Sequence, residues 1–417
     1  MKGMFRSLRH RNYRIWFIGG FVGNNGQWMQ TTAQAWIVLT VLTSGDATAV
    51  GFALALQFLP PLALVGLTGW LADRFDRRRI LAASQLAFAA VSAATGTLLL
   101  AGVMSIGMMM AFALLLGTVQ AFENPTRQAF VSDLVGAGDA PNAVALNSAS
   151  FSAARLVGPA LAGLAIVWIG SGWVFIANAA CFLVTFVSLV LLRRTEFLPR
   201  EPREGPTRFA DGFQHVGRRP DLVVLFAMLF VFSAFGMNFP IYASTMAVEL
   251  GGGADGFGFL TSFFAIGSLT GALVSALQTR PRFLVIVLSA LGYGVASLIS
   301  ALMPGFWSYA IAIVFVGFSL ITLLTTANSY VQTTTPAPLR GRVFAVYTAL
   351  LLGSTPVGAP IVGWIAEHWG ARASVEVAAI AGFVVCGIGA VWAVAHRRAL
   401  SRRAAALSNA NLVLRTD

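Results

Sequence analysis

Residues 69–79 read GWLADRFDRRR, and the reading of this stretch decides the fold. Seven consecutive residues, Asp73 to Arg79, hold four arginines and two aspartates in a chain that is only 11% charged. A long apolar segment precedes them and another follows. Charge this dense is too costly to place in hydrocarbon, so the stretch marks a water-exposed turn between two buried helices. The rest of the composition agrees: 57% of residues are hydrophobic and mean hydropathy is +0.77. Such a chain has too little polar surface to cover a soluble globule. It reads as an all-α integral membrane protein, because helices satisfy their own backbone groups in lipid.

Working outward, apolar runs predict twelve transmembrane helices near 12–42, 48–72, 80–101, 106–124, 142–168 and 173–192, then 222–248, 257–278, 283–303, 306–328, 343–367 and 373–395. Pro125 is expected to stop the fourth. The one long polar stretch, 193–221, is rich in Arg, Glu, Pro and Gly and reads as a linker with one short surface helix. The expected organisation is a six-helix bundle over 1–192, the linker, a second bundle over 222–396 and a basic tail over 397–417. With this count every Lys and Arg except Arg155 and Arg372 falls on one side, whereas Asp46, Glu249, Asp255 and Glu367 fall on the other. The positive-inside rule then puts both termini and the linker in the cytoplasm, and the chain in the cytoplasmic (inner) membrane. The basic segment before residue 14 is followed by an apolar run too long for a cleavable signal peptide.

The two halves repeat. At a fixed offset of 200, Gly117 meets Gly317, Gly158 meets Gly358, Gly163 meets Gly363 and Gly170 meets Gly370. This predicts two pseudo-symmetric six-helix bundles.

The pattern of Gly69, three residues, Asp73-Arg74, one residue, then Arg77-Arg78 resembles the signature of the major facilitator superfamily between its second and third helices. Asp76 stands where that pattern usually has a small residue, and the charge order is intact. The stretches at 57–79, at 123–135 (ENPTRQAFVSDLV) and at 147–163 (NSASFSAARLVGPALAG) look like the drug and siderophore exporter branch, which includes enterobactin exporters and macrolide efflux proteins. Gly158-Pro159 with Gly163 resembles the antiporter motif of that superfamily, which implies export by exchange. The resemblance also implies that Asp73 meets the start of helix 11 when the cytoplasmic side is closed. The free N–H groups of a helix start stabilise a carboxylate, and Arg342 adds an ion pair. Arg74, Asp76 and Arg77 would latch to Glu123, Asp133 or the second-half loops. After helix 8 the matching stretch, Gln278 to Arg282, has no acid.

Helix 1 carries a polar stripe, Asn24, Gln27, Thr31 and Gln34, broadened by Asn25, Gln30 and Thr32. Polar groups at mid-membrane need water or hydrogen-bond partners, and the stripe reads as a cavity wall rather than a dry helix seam. Gln57, Gln120, Asn238, Tyr242 and Thr325 are the candidate facing groups. Sparse charge with aromatic and Met side chains suits a bulky amphiphile. Arg155, near the middle of helix 5, is expensive in lipid and should face water or a partner. It either binds an anionic substrate group, pairs with a titrating acid, or staples helices. Glu123 is either a proton carrier or a fixed partner for Arg127 and the motif arginines.

Enzyme readings fail early. Lys2 is the only lysine, so neither a GxxxxGK[ST] phosphate loop nor a Schiff-base site exists. The four histidines are scattered, which argues against a metal site, and no cofactor is implied. Cys181 and Cys386 fall inside apolar spans and read as small buried hydrophobes. The net charge of +12 is a topology signal and does not imply nucleic-acid binding. The expectation is a monomeric secondary exporter of an amphiphile, driven by protons. An uptake permease, a metal-resistance exporter, or a membrane binding or assembly protein that does not transport are the alternatives.

Overall fold

The computed structural model describes residues 5–64, 68, 74–136, 138–197, 210–276 and 281–413. At 132, 140–141, 152, 156, 210–212, 276, 337–338, 340–342, 345 and 396–413 it describes the backbone alone. Twelve helical rods are laid down in chain order. They are α1 (Arg11–Ile37, continued by a π turn, Val38–Leu42), α2 (Ala47–Ala63), α3 (Arg77–Leu100), α4 (Ile106–Asp133), α5 (Ala140–Ile169) and α6 (Ser171–Val190). Then come α7 (Pro220–Glu249), α8 (Gly253–Ala276), α9 (Phe283–Leu302), α10 (Phe306–Thr334), α11 (Ala337–Gly353 and Thr355–Trp369) and α12 (Ala371–Val413). Among the described residues the ten helices α3 to α12 are long and apolar enough to cross a membrane. The polar stripe lowers the hydropathy of α1, and α2 is described over 17 residues.

The helices of each half of the chain pack on one another. Within the halves α3 lies on α6, α1 on α5 and α6, and α2 on α4; α8 lies on α10, and α9 on α10 and α12. The halves meet along α2–α11 and α5–α8. The offset-200 glycines explain this symmetry. A Cβ on Gly117 (α4) would overlap the Gln57 carbonyl on α2, and one on Gly317 (α10) the Phe264 carbonyl on α8. Gly158 (α5) abuts Trp28 Cβ on α1, and Gly358 (α11) abuts Ala234 on α7. Gly163 (α5) meets Gly258 on α8, and Gly363 (α11) meets Ala47 on α2. Each pair performs an equivalent close approach, the 117/317 and 158/358 pairs within their own halves and the 163/363 pair across to the other half. Gly170 and Gly370 both have positive φ, +80° and +91°, and turn the chain between α5 and α6 and between α11 and α12.

The outward surface is apolar: Val187, Leu273, Ile311 and Phe315 are all at least half exposed, as a lipid-facing surface requires. Trp168, Trp173, Trp307 and Trp369, also exposed, cluster at the helix ends away from the termini, where an aromatic belt belongs. That end is called the far face below, and the end bearing both termini the terminal face.

Several boundaries differ from the sequence reading. Pro125 does not stop α4, which runs on to Asp133. The extra turns are held by packing: Phe130 and Val131 are buried, and Arg77 donates to the Ala129 carbonyl at 3.2 Å. Likewise α10 continues to Thr334. Helix 7 is one span but contains a π turn, Phe232–Gly236, before its second piece begins at Phe239. The basic tail continues α12 as helix to Val413. The linker supplies the expected short helix, Ala210–Gly217.

Candidate transport pathway

Asp76 is the N-cap of α3; its carboxylate accepts from the N–H groups of Arg78 (2.9 Å) and Arg79 (3.4 Å). Arg77 pairs with Asp133 of α4 at 2.8 Å, one of the three alternatives named for it above. Arg78 instead donates to the carbonyls of Leu189 and Val190 at the end of α6, both at 2.9 Å. Gly69 and Asp73 lie outside the described residues, as does the side chain of Arg342. The first described residues are tied to the loop before α5. Asp139, on the loop before α5, accepts from Arg9 at 2.7 Å, His10 at 2.8 Å and Arg6 at 2.7 Å. The His10 contact is the largest influence holding the Asp139 carboxyl below the usual range; Arg9 and Arg6 add to it, against desolvation.

The stripe on α1 divides. Asn24 accepts from Arg127 Nη1 at 2.6 Å, and Arg127 also forms a short ion pair with Glu123 one turn away on α4. Glu123 and Arg127 are both buried, and the guanidinium lies 5.3 Å from the Trp16 ring centroid. Glu123 is therefore a paired carboxylate in this structure. One turn further, Gln27, Gln30, Gln57 and Gln120 converge with Phe88, Leu116 and Phe182 on a void of about 10 Å³ inside the first half. Gln57 donates to Thr31 at 3.2 Å, and Ser92 donates to Gln30 at 2.5 Å. Among the described residues Gln30 Nε2 and Gln57 Oε1 have no protein partner, and neither do Gln34 Nε2 or the amides of Gln85 and Asn178. A void of this size seats one water, and the unpaired amide atoms need one. Gln85 and Asn178 escaped the sequence reading because each is a lone amide on an otherwise apolar helix. A weak signal was present: Ser92 and Thr185 stand seven residues on, two turns along the same faces.

Between the halves, Arg155 projects from α5. Its Nη2 donates to the Met237 thioether on α7 at 3.7 Å, and its guanidinium lies 5.5 Å from the Trp28 ring centroid. Trp28 packs edge-on against Phe151. Among the described residues no carboxylate pairs with Arg155, so a cation sits between the bundles held by an indole face and a sulfur. Met237 is available because α7 breaks there. The carbonyls freed by the break are satisfied locally: Asn238 donates to Ala234 O at 2.6 Å, Tyr242 to Phe235 O and Tyr293 to Gly236 O. Asn238 and Tyr242 thus stabilise the break itself. Thr325 bonds to its own helix, at Ile321 O.

Among the described residues, the close glycine approaches between the halves lie toward the far face. Gly51 of α2 faces the Ala359 carbonyl of α11, Gly363 of α11 faces the Ala47 carbonyl, and Gly163 of α5 faces Gly258 of α8. Thr48 donates through its N–H to Glu367 at 3.3 Å and through its hydroxyl to the same oxygen. Trp36 stacks on Phe257 at 4.8 Å.

A family model described as transmembrane secretion effector, of the major facilitator type, matches residues 2–414. The chain belongs to this family. Members of this superfamily are transporters, and this chain is a multi-pass membrane transporter and no enzyme. It is 25% identical over 367 residues to the staphyloferrin A transporter of Staphylococcus aureus, covering 86% of this chain and 90% of that one. It is 26% identical over 346 residues to the enterobactin exporter of Shigella boydii, covering 80% and 77%. It is 27% identical over 371 residues to the multidrug efflux pump Tap of Mycolicibacterium fortuitum, covering 84% and 88%. Among solved structures the fold matches a D-xylose-proton symporter with a TM-score of 0.71 at 14% identity, covering 90% of this chain and 96% of that one. It also matches a bacterial homologue of the lysosomal transporter Spinster, inward-facing and occupied, with a TM-score of 0.67 at 16% identity, covering 92% and 96%.

Proposed function

We propose that this facilitator exports an amphiphilic small molecule of the siderophore or drug type by alternating access, in exchange for protons. The observation that carries the reading is the placement of Arg155, Trp28 and Met237 between two bundles that, among the described residues, approach closely through glycines toward the far face. A bulky ligand with an anionic group finds there a half-buried guanidinium, an aromatic wall and an adaptable thioether. The relatives named as siderophore transporters and as a multidrug pump support this substrate class. In this reading both termini are cytoplasmic, the chain works as a monomer, and Asp73 with Arg342 closes the cytoplasmic gate.

Proton coupling is assigned to Glu123, with Arg155 as the other charge of the cycle. A proton on Glu123 competes with Arg127 for the carboxylate, so protonation frees Arg127 to leave Asn24 and changes how α1 and α4 meet. Everted vesicles test this. The wild type should collapse a preformed acid-inside pH gradient when the exported compound is added. Glu123→Gln should bind the compound yet leave the gradient intact; full exchange by that variant would sink the proton assignment. Arg155→Ala should lose export of anionic compounds first.

A further inference from the structure

A second site lies on the terminal face of the first half, beside the charged turn before α3 and apart from Arg155, Trp28 and Met237. A cavity of about 320 Å³ opens there between the starts of α3 and the ends of α4 and α6. Phe130 and Phe197, packed edge to face with centroids 5.9 Å apart, form an apolar wall. Three guanidiniums line it, from Arg77, Arg78 and Arg194, against two carboxylates, Asp76 and Asp133. Both carboxylates are engaged. Asp133 holds Arg77 at 2.8 Å. Asp76 spends one oxygen capping α3, and its other reaches Arg79 only at 3.8 Å and Arg194 only at 4.0 Å. Arg78 is fixed by neutral carbonyls, and Arg194 bears on it as a like charge.

We propose that this cavity binds the phosphodiester headgroup of an anionic membrane phospholipid. A phosphate between Arg78 and Arg194 would replace their repulsion with charge-assisted hydrogen bonds. The surroundings choose a lipid over a free anion. The carbonyls that fix Arg78 belong to the last turn of α6, and on that turn Val187, Val190 and Leu191 are 50%, 54% and 55% exposed. An acyl chain running down this face starts where the guanidiniums end, the arrangement expected of a basic headgroup pocket at a membrane surface.

The test uses the purified full-length protein in detergent, with phosphatidylglycerol or phosphatidylcholine added, and counts retained lipid by native mass spectrometry. Arg194→Glu reverses an exposed charge without touching a buried contact, so the fold survives. Each unit of charge near a surface is worth about five-fold in anionic-lipid binding, so this reversal should cut phosphatidylglycerol retention about twenty-five-fold and leave phosphatidylcholine unchanged. Arg78→Gln should act in the same direction. Equal retention of the two lipids by the wild type, or unchanged phosphatidylglycerol retention in Arg194→Glu, overturns the proposal. A parallel arm measures thermal stabilisation by inorganic phosphate alone. Stabilisation matching that of the lipid, and lost in Arg194→Glu, would assign the pocket to a soluble anion and overturn the lipid reading.

Discussion

Gly51→Ala should open the far face. A Cβ at position 51 would stand 2.8 Å from the Ala359 carbonyl carbon and 2.8 Å from Pro360 Cα, about 0.6 Å inside ordinary contact, with the carbonyl oxygen nearer still. Both atoms are backbone or ring-bound, so α2 and α11 must part. Overpacking of this kind costs about 1–3 kcal/mol. Only the state in which the halves touch there bears that cost, so the population of that state should fall by about 5- to 150-fold relative to one with the far face open. The assay is maleimide labelling of Val362→Cys, a fully buried position on α11 next to Gly363, which meets α2, in a background with Cys181 and Cys386 replaced by serine. Labelling should accelerate within that range. Gly117→Ala is the control. Its Cβ would stand equally close, 2.8 Å from the Gln57 carbonyl carbon, but both helices belong to the first half. It should destabilise the protein without changing Val362→Cys labelling. Equal labelling in the Gly51 variant and its parent, or equal acceleration by both alanines, would refute the idea that the far-face contacts form a separable seal.

Other outcomes are expected from the buried polar groups. Glu123→Gln and Arg127→Gln each break a buried pair and should each cost about 3–5 kcal/mol in equilibrium unfolding; the double variant should cost clearly less than their sum, and strict additivity would mean the pair is not coupled. Gln57→Leu should destabilise by about 1–3 kcal/mol if water occupies the amide-lined void, whereas a dry void would make leucine neutral or better. Asp139 is held below the ordinary carboxylate range in the folded protein, so its stabilising contacts are fully present above about pH 4 and are lost as pH falls toward the depressed folded value. A spin label at Phe5 should therefore stay immobile at neutral pH and become mobile in acid, and Asp139→Asn should make it mobile already at neutral pH.

The helical membrane class and the repeat were legible because lipid imposes long apolar runs and because the offset-200 glycines mark helix crossings. Gly158, Gly163 and their partners at 358 and 363 showed register, although nothing in the sequence said that 163 and 363 would face the opposite half while 158 and 358 face their own. Pro125 misled because its local cost is outweighed by the burial of Phe130 and by Arg77 reaching across from α3. The polar stripe on α1 was visible as a stripe, but its partners were not. Asn24 turns to Arg127 and Gln27 to an interior void, since the α1 face wraps past two neighbouring helices within the first half. Asn238 and Tyr242 looked like pathway groups because they are polar at mid-membrane; they serve the carbonyls freed where α7 breaks. Arg155 was legible as a charge within an apolar span, while its neighbours, Trp28 and Met237, come from two other helices whose approach no local pattern announces.

The central claim is that the two halves exchange contact between faces. Pulsed electron resonance distances on two label pairs test it most directly: Ser44 with Trp369 across the far face, and Arg79 with Thr333 across the terminal face. Under changing pH and with the exported compound present, the account predicts anticorrelated shifts, the far-face pair lengthening as the terminal pair shortens. Two distances that stay fixed under every condition, or that lengthen together, would contradict it.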